Sequence, residues 1–285
     1  VERLLPHKLS QYGPGLAVAD VDGNGLDDIF ITGSQECPAR FLMQQQDGKF
    51  IVKELLMPAV NNMPKYQNMG ALLFDADGDG KPDLYCANGG NRYAANTGSY
   101  QDLFYINDGK GNFRPDTTAL PMNHASKSCV KAVDFDHDGD LDLFIGGRVL
   151  PGKYPLPVSS FIYRNDSEPG HVHFTDVTGS VAKDLLNIGM VCDAIWTDFD
   201  NDGWTDLVVA GEWMPLTFLK NDHGKFVNIT DQSGVNRETG WWNSIAAGDF
   251  DNDGDIDYIA GNLGLNSFYR ANAEHPVSIY VKDFD

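Results

Sequence analysis

Positive charge is scarce in this sequence. Lysine and arginine number 21 against 41 aspartate and glutamate, leaving a formal net charge of -20 on 285 residues. Nucleic-acid recognition needs a basic footprint to meet the phosphates, so nucleic acid is excluded as a default partner. An anionic lipid surface is disfavoured on the same ground. No run approaches the roughly 20 apolar residues of a membrane-crossing helix, so the chain is not expected to span a bilayer with one. The four cysteines, Cys37, Cys86, Cys129 and Cys192, have no CxxC spacing, which argues against a zinc knuckle. Cys86, Cys129 and Cys192 sit in apolar runs and are expected as buried free thiols. The seven histidines form no HExxH pattern, and no GxSxG is present. Val1-Glu2-Arg3 carries neither an initiator methionine nor a signal-peptide pattern, so a mature product or an excised piece is expected.

Apolar residues, in contrast, make up 42% and aromatics 11%, enough for a substantial core. The acid is mostly aspartate, and it is periodic. Five nonapeptides share one pattern, starting at Asp20, Asp75, Asp134, Asp198 and Asp249, with a sixth opening at Asp283-Phe-Asp285. Successive starts lie 55, 59, 64 and 51 residues apart. A fixed period of that size marks a repeat architecture.

The pattern has the chemistry of a calcium loop. Carboxylates at positions 1, 3, 5 and 9, with the backbone carbonyl of position 7, surround a hard cation with oxygen. The ligand sets are Asp20, Asp22, Asn24, Leu26 and Asp28, then Asp75, Asp77, Asp79, Lys81 and Asp83. The third is Asp134, Asp136, Asp138, Asp140 and Asp142. The last two are Asp198, Asp200, Asp202, Trp204 and Asp206, and Asp249, Asp251, Asp253, Asp255 and Asp257. Glycine at position 6 permits the sharp turn. About five structural Ca²⁺ ions are expected, and magnesium is less suited because it demands tight octahedral geometry. An EF-hand is excluded, because its bidentate glutamate at position 12 is replaced here by Ile31, Cys86, Ile145, Val209 and Ala260.

The flanks read as strands. Leu16-Ala-Val18, Ala71-Leu-Leu-Phe74 and Ala194-Ile-Trp196 precede loops; Ile29-Phe-Ile31, Leu143-Phe-Ile145 and Leu207-Val-Val-Ala210 follow them. A second hairpin signal follows in each of the first four units, as in Leu103-Phe-Tyr-Ile-Asn-Asp-Gly109, Phe161-Ile-Tyr-Arg-Asn165 and Phe218-Leu-Lys-Asn-Asp-His-Gly224. Each unit therefore holds four strands, with its calcium loop between the first and second. Four-stranded units repeated radially are β-propeller blades, so the fold class is all-β. One domain over 1–285 is expected, with blades starting near 12, 66, 127, 189 and 241 and a sixth near 277. A short helix fits Val181 to Leu186. The aspartates should line one rim.

Cys129-Val-Lys-Ala-Val-Asp-Phe-Asp136, Gly146-Gly-Arg148, Gly211-Glu-Trp-Met-Pro215, Trp241-Trp-Asn243 and Gly261-Asn-Leu-Gly-Leu-Asn266, together with the loops, resemble the FG-GAP/VCBS repeats of integrin-α-like propellers. They look most like Bacteroidota VCBS-repeat proteins related to the ASPIC/UnbV group. The resemblance implies an exported or cell-surface protein, and often seven blades, so 1–285 is expected to be part of a longer propeller.

The connections opposite the calcium rim are expected to hold a ligand. The candidates there are Asn91, Arg92, Arg148, Asp193, Glu212, Trp213, Trp241, Trp242 and Asn262, residue types that stack on sugars or anchor protein interfaces. A protein or glycan partner at the cell surface is expected, with a structural subunit of a surface assembly as the alternative. Catalysis is not expected; a hydrolase or lyase would need paired carboxylates, for which Glu212 and Asp193 are the candidates. Asn165-Asp-Ser167 and Asn228-Ile-Thr230 match the N-glycosylation triplet, which is common by chance.

Overall fold

The computed structural model describes residues 9, 12–34, 37–55, 66–264, 270–272 and 274–280. The sixth aspartate motif at Asp283–Asp285, and Gln35, Leu265 and Asn266, lie outside the described residues. Among those described, the structure is β-sheet with short helical turns. β1 (Leu16–Ala19), β2 (Asp28–Ile31), β3 (Arg40–Gln44) and β4 (Phe50–Glu54) form one antiparallel sheet in chain order. β5 (Asn68–Phe74), β6 (Asp83–Asn88), β7 (Leu103–Asn107) and β8 (Phe113–Asp116) form the next. β9 (Ser126–Val133), β10 (Asp142–Val149), β11 (Phe161–Asn165) and β12 (Phe174–Asp176) form the third. β13 (Met190–Thr197), β14 (Asp206–Met214), β15 (Thr217–Asn221) and β16 (Phe226–Asn228) form the fourth.

Each sheet is one blade, with its aspartate loop between first and second strands. In the fifth unit only β17 (Gly240–Gly248) and β18 (Asp257–Asn262) are strands among the described residues. The fourth and fifth units are also joined. β14 runs past the end of its pairing with β15 and on that side pairs Glu212 with Trp241 and Met214 with Gly240, so the two blades share one six-stranded sheet. No sheet closes on itself among the described residues.

The cores lie between blades. Phe30, Phe41 and Val21 of the first pack on Leu84, Cys86 and Tyr105 of the second. Phe74, Tyr85 and Phe104 then meet Leu143, Ile145 and Tyr163. Phe135, Phe144 and Ile162 meet Leu207, Val209 and Leu219, and Val208 and Ala210 meet Ile245. A middle blade is thus covered on both faces, so β6 and β10 are buried at every position and read as unbroken apolar runs rather than alternation. β2 and β18 belong to blades with one described neighbour; β2 alternates buried with half-buried positions, and β18 keeps exposed ones.

First strands pack side by side, β1 on β5, β5 on β9, β9 on β13 and β13 on β17. Gly70 shows why small residues stand there: a Cβ would lie 2.9 Å from the Ser128 carbonyl oxygen of the next strand. Gly15 meets Met69 and Gly70 in the same way before β1, and past its other end the Val21 carbonyl accepts from Asn107 at the loop end of the next blade, so neighbouring first strands run in the same direction. Their loops consequently leave from one end of the structure. Over Val181 to Leu186, where a short helix was expected, there is a 3₁₀ turn at Lys183–Leu185; the α-helical turn α1 (Thr178–Val181) lies just before it. All four cysteines are free; Cys86 is buried and Cys37 exposed, while Cys129 and Cys192 are partly covered, their thiols pushed up by burial to about 11 and about 12.

Candidate metal loops and ligand face

In each loop the position-6 glycine has positive φ, from +81° at Gly80 to +102° at Gly139. Its N–H donates to the position-1 carboxylate: Gly25 to Asp20 at 2.8 Å, Gly80 to Asp75 at 2.8 Å, Gly139 to Asp134 at 3.1 Å, Gly203 to Asp198 at 2.9 Å and Gly254 to Asp249 at 3.2 Å. Position 4 is also left-handed, with Gly23, Gly78, His137, Asn201 and Asn252 all at φ between +58° and +74°. Only glycine, asparagine and histidine occur there, residue types that tolerate this region. That restriction is visible in the sequence as the fourth residue of each loop.

These turns fold the carboxylates inward. Ligand atoms of Asp20, Asp22 and Asp28 lie within 4.8 Å of one another, as do those of Asp134, Asp136 and Asp142, of Asp198, Asp200 and Asp206, and of Asp249, Asp251 and Asp257. In the second loop the trio is Asp75, Asp77 and Asp79, with Asp83 outside it. Position 9 is the best buried, Asp28, Asp142 and Asp206 being fully covered. Burial pushes Asp83 and Asp142 up to about 7 and Asp206 up to about 6, against backbone N–H donors that lower them. Asp83 Oδ2, Asp134 Oδ1 and Asp136 Oδ1 are buried with no hydrogen-bond partner. Carboxylates gathered this closely, with orphaned oxygens, fit a hard divalent cation that takes oxygen ligands. Two lysines supply part of the balancing charge: Lys81 pairs with Asp79 at 2.6 Å, and Lys220 pairs with Asp200 and, at 2.8 Å, Asp202.

At the other end of the blades, the structure brings four expected residues together. Arg148 of β10 is ion-paired with Glu212 of β14, and their side chains are 3% and 0% exposed. Tyr154 Oη donates to Glu212 Oε2 at 3.0 Å and accepts from Trp213 Nε1 at 2.7 Å. The Trp213 and Trp241 rings lie 6.1 Å apart, and the Arg148 guanidinium stands 5.5 Å from the Tyr12 ring. Arg148 and Glu212 are therefore enclosed by their own network rather than displayed. Its other half, Tyr12 and Tyr154, lies outside the aspartate loops and the strands and carried no sequence signal.

The remaining candidates stand apart. Asp193 pairs with Lys131 at 2.9 Å and accepts the Ile245 N–H. Asn91 accepts the Gly152 N–H, and Trp242 Nε1 donates to the Glu238 carbonyl. Arg92 and Asn262 are exposed. Lys127, near the start of β9, is fully buried, donating to the Tyr100 and Asn123 carbonyls at 2.6 Å and lying 3.3 Å from Asp102. Asn165 is 3% exposed, which closes its glycosylation triplet to modification in the folded protein.

An open cleft of about 370 Å³ is lined by Tyr66, Gln101, Leu103, Asp116, Met122 and His124, among others. Tyr66 precedes β5, Leu103 begins β7, Asp116 ends β8 and His124 precedes β9, so the cleft lies at the end of the blade away from its aspartate loop.

The profile of the FG-GAP-like repeat family matches residues 20–86, 75–145 and 198–260. Cartilage acidic protein 1 of Xenopus tropicalis is 20% identical over 273 residues, covering 89% of this chain and 40% of that protein. The chain thus spans about two-fifths of the length of this curated relative. Among solved structures, an Agrocybe aegerita lectin that recognises non-reducing terminal N-acetylglucosamine is 18% identical at TM-score 0.48, over 86% of this chain and 56% of that one. The V. cholerae biofilm matrix protein Bap1 is 15% identical at TM-score 0.40, over 87% and 34%. Likenesses at these scores carry no functional weight. With the repeated aspartate loops, the four-stranded blades and a family match over most of its length, the chain belongs to the FG-GAP-like repeat family.

Proposed function

We propose that this chain is a calcium-stabilised, extracellular or cell-surface binding module that takes a protein or glycan on the face opposite its calcium loops. The carrying observation is the open cleft on that face, where Tyr66 offers a ring and Asp116 and His124 offer polar groups. Clefts of this size, mostly apolar with a few polar groups, are the usual form of a small-ligand site. Extracellular calcium modules bind at about 10⁻⁴–10⁻³ M, which suits an exported protein. The finer grouping with bacterial VCBS-repeat proteins is part of this proposal.

Binding is favoured over catalysis because the two carboxylates eligible for acid/base work are committed elsewhere. Glu212 is held by Arg148 and Tyr154, and Asp193 by Lys131 and the Ile245 N–H. Turnover of a polysaccharide by the wild type, lost in Glu212→Gln, contradicts this reading. The direct test is retention on a glycan array and on candidate surface proteins, comparing wild type with Tyr66→Ala and His124→Ala. Loss of binding at unchanged melting temperature is expected. Retention unaffected by both changes moves the ligand off the cleft, and a module with no ligand on this face is a structural subunit instead.

A further inference from the structure

The third strands of the second, third and fourth blades each end in a buried asparagine. Asn107, Asn165 and Asn221 are 2%, 3% and 0% exposed. Each is engaged three ways. The backbone N–H donates to the position-9 aspartate of its own blade: Asn107 to Asp83 Oδ1 at 2.8 Å, Asn165 to Asp142 Oδ1 at 2.8 Å and Asn221 to Asp206 Oδ1 at 2.7 Å. The side-chain oxygen accepts a turn N–H from Gly109, Ser167 or Gly224. The side-chain nitrogen crosses to the preceding blade and donates to the position-2 carbonyl of its loop. Those acceptors are Val21 at 2.9 Å, Ala76 at 2.9 Å and Phe135 at 2.8 Å.

The position-2 residues carry the connection onward. Val21 donates its N–H to Asp28 Oδ2 at 3.1 Å, Phe135 to Asp142 Oδ2 at 3.2 Å and Phe199 to Asp206 Oδ2 at 3.1 Å. In the second loop the Ala76 N–H lowers the Asp83 pKa against burial, yet Asp83 Oδ2 lacks a partner of full hydrogen-bond geometry. Hydrogen bonds thus lead from Asp28 to Asp83 and from Ala76 to Asp206, and the Ala76–Asp83 step inside the second loop is the one they do not close. His137 of the third loop also stacks on Trp204 of the fourth, with ring centroids 4.2 Å apart.

Ordering the position-9 carboxylate around a cation fixes the asparagine backbone. That fixes where its side chain holds the neighbouring loop. We propose that Asn107, Asn165 and Asn221 are positioning residues that couple cation binding between adjacent loops, so that filling one loop raises the affinity of the next. The inference rests on the calcium reading of the loops. Coupling of this kind is reciprocal, and its usual size is about 5-fold or more in affinity.

The test is calorimetric titration of the full chain with calcium, giving stoichiometry and affinities. Disabling the third loop by Asp136→Asn should remove one site and also weaken a neighbour by about 5-fold or more. In an Asn165→Ala, Asn221→Ala background the same change should remove its own site and leave the neighbours' affinities untouched. A merely structural asparagine lowers melting temperature without altering how sites respond to one another. Unchanged affinities at the remaining sites of Asp136→Asn overturn the proposal, as does a neighbour effect that persists without the asparagines. The Asp136→Asn comparison leaves the asparagines in place, so it decides coupling even where their alanine variants fail to fold. Absence of any calcium binding overturns the loop reading itself.

Discussion

Gly203 has φ of +89° and open space where a Cβ would stand, so replacing it tests backbone conformation alone. Gly203→Ala should cost about 1–2 kcal/mol, the strain of an L residue in left-handed geometry, read as a lower denaturation midpoint. Arg148 presents a different case. It neutralises a fully buried Glu212, and removing one partner of such a pair leaves an uncompensated charge. Arg148→Ala should therefore destabilise by about 3–5 kcal/mol, measured by chemical denaturation. A loss below about 1 kcal/mol, the range of surface pairs, would show the pair to be solvated. The buried position-9 aspartates set a pH dependence. With no metal bound, burial holds Asp83 and Asp142 up near about 7 and Asp206 near about 6. Their unfolded value is about 3.9. Stabilisation by the protonated forms is complete below that value and is lost as pH rises through 6 to 7. In chelator, the protein should melt higher at pH 5.5 than at pH 8. Calcium, which needs the ionised form, should reverse that order.

At the scale of the element, the blade was legible because its signals are local and repeated. Asp-Gly punctuation marked the loops, and apolar runs marked the strands on either side. The asparagines of Leu103–Asn107, Phe161–Asn165 and Thr217–Asn221 stood in plain view at the same strand position. Their reach into the preceding blade was not readable, because a hydrogen bond such as Asn165 Nδ2 to the Ala76 carbonyl spans 89 residues. The mouth network was hidden for a related reason. Arg148, Glu212, Trp213 and Trp241 stand out by residue type, but their enclosure involves Tyr12 and Tyr154, which lie outside the repeated loop and strand motifs. Residue type indicated reactive groups; only packing showed that Arg148 and Glu212 neutralise each other. The shared sheet of the fourth and fifth blades likewise arises from β14 outrunning β15, a length difference that periodicity does not encode.

On the scale of the whole molecule, the net charge of -20 is largely a count of ligands. The five loops and the motif at Asp283 hold 24 aspartates, leaving the rest of the chain near +4. The blades join through apolar seams, while the acidic loops gather at one end. Cations there should stabilise the folded state by mass action, each site contributing about 2.7 kcal/mol when calcium stands 100-fold above its dissociation constant. The most direct test of the account is a calcium titration by calorimetry paired with a thermal scan of the same sample. The account predicts about five ions bound per chain, one for each acidic cluster, and a melting temperature that rises with calcium and falls back on chelation. Neither bound calcium nor any thermal response would contradict it.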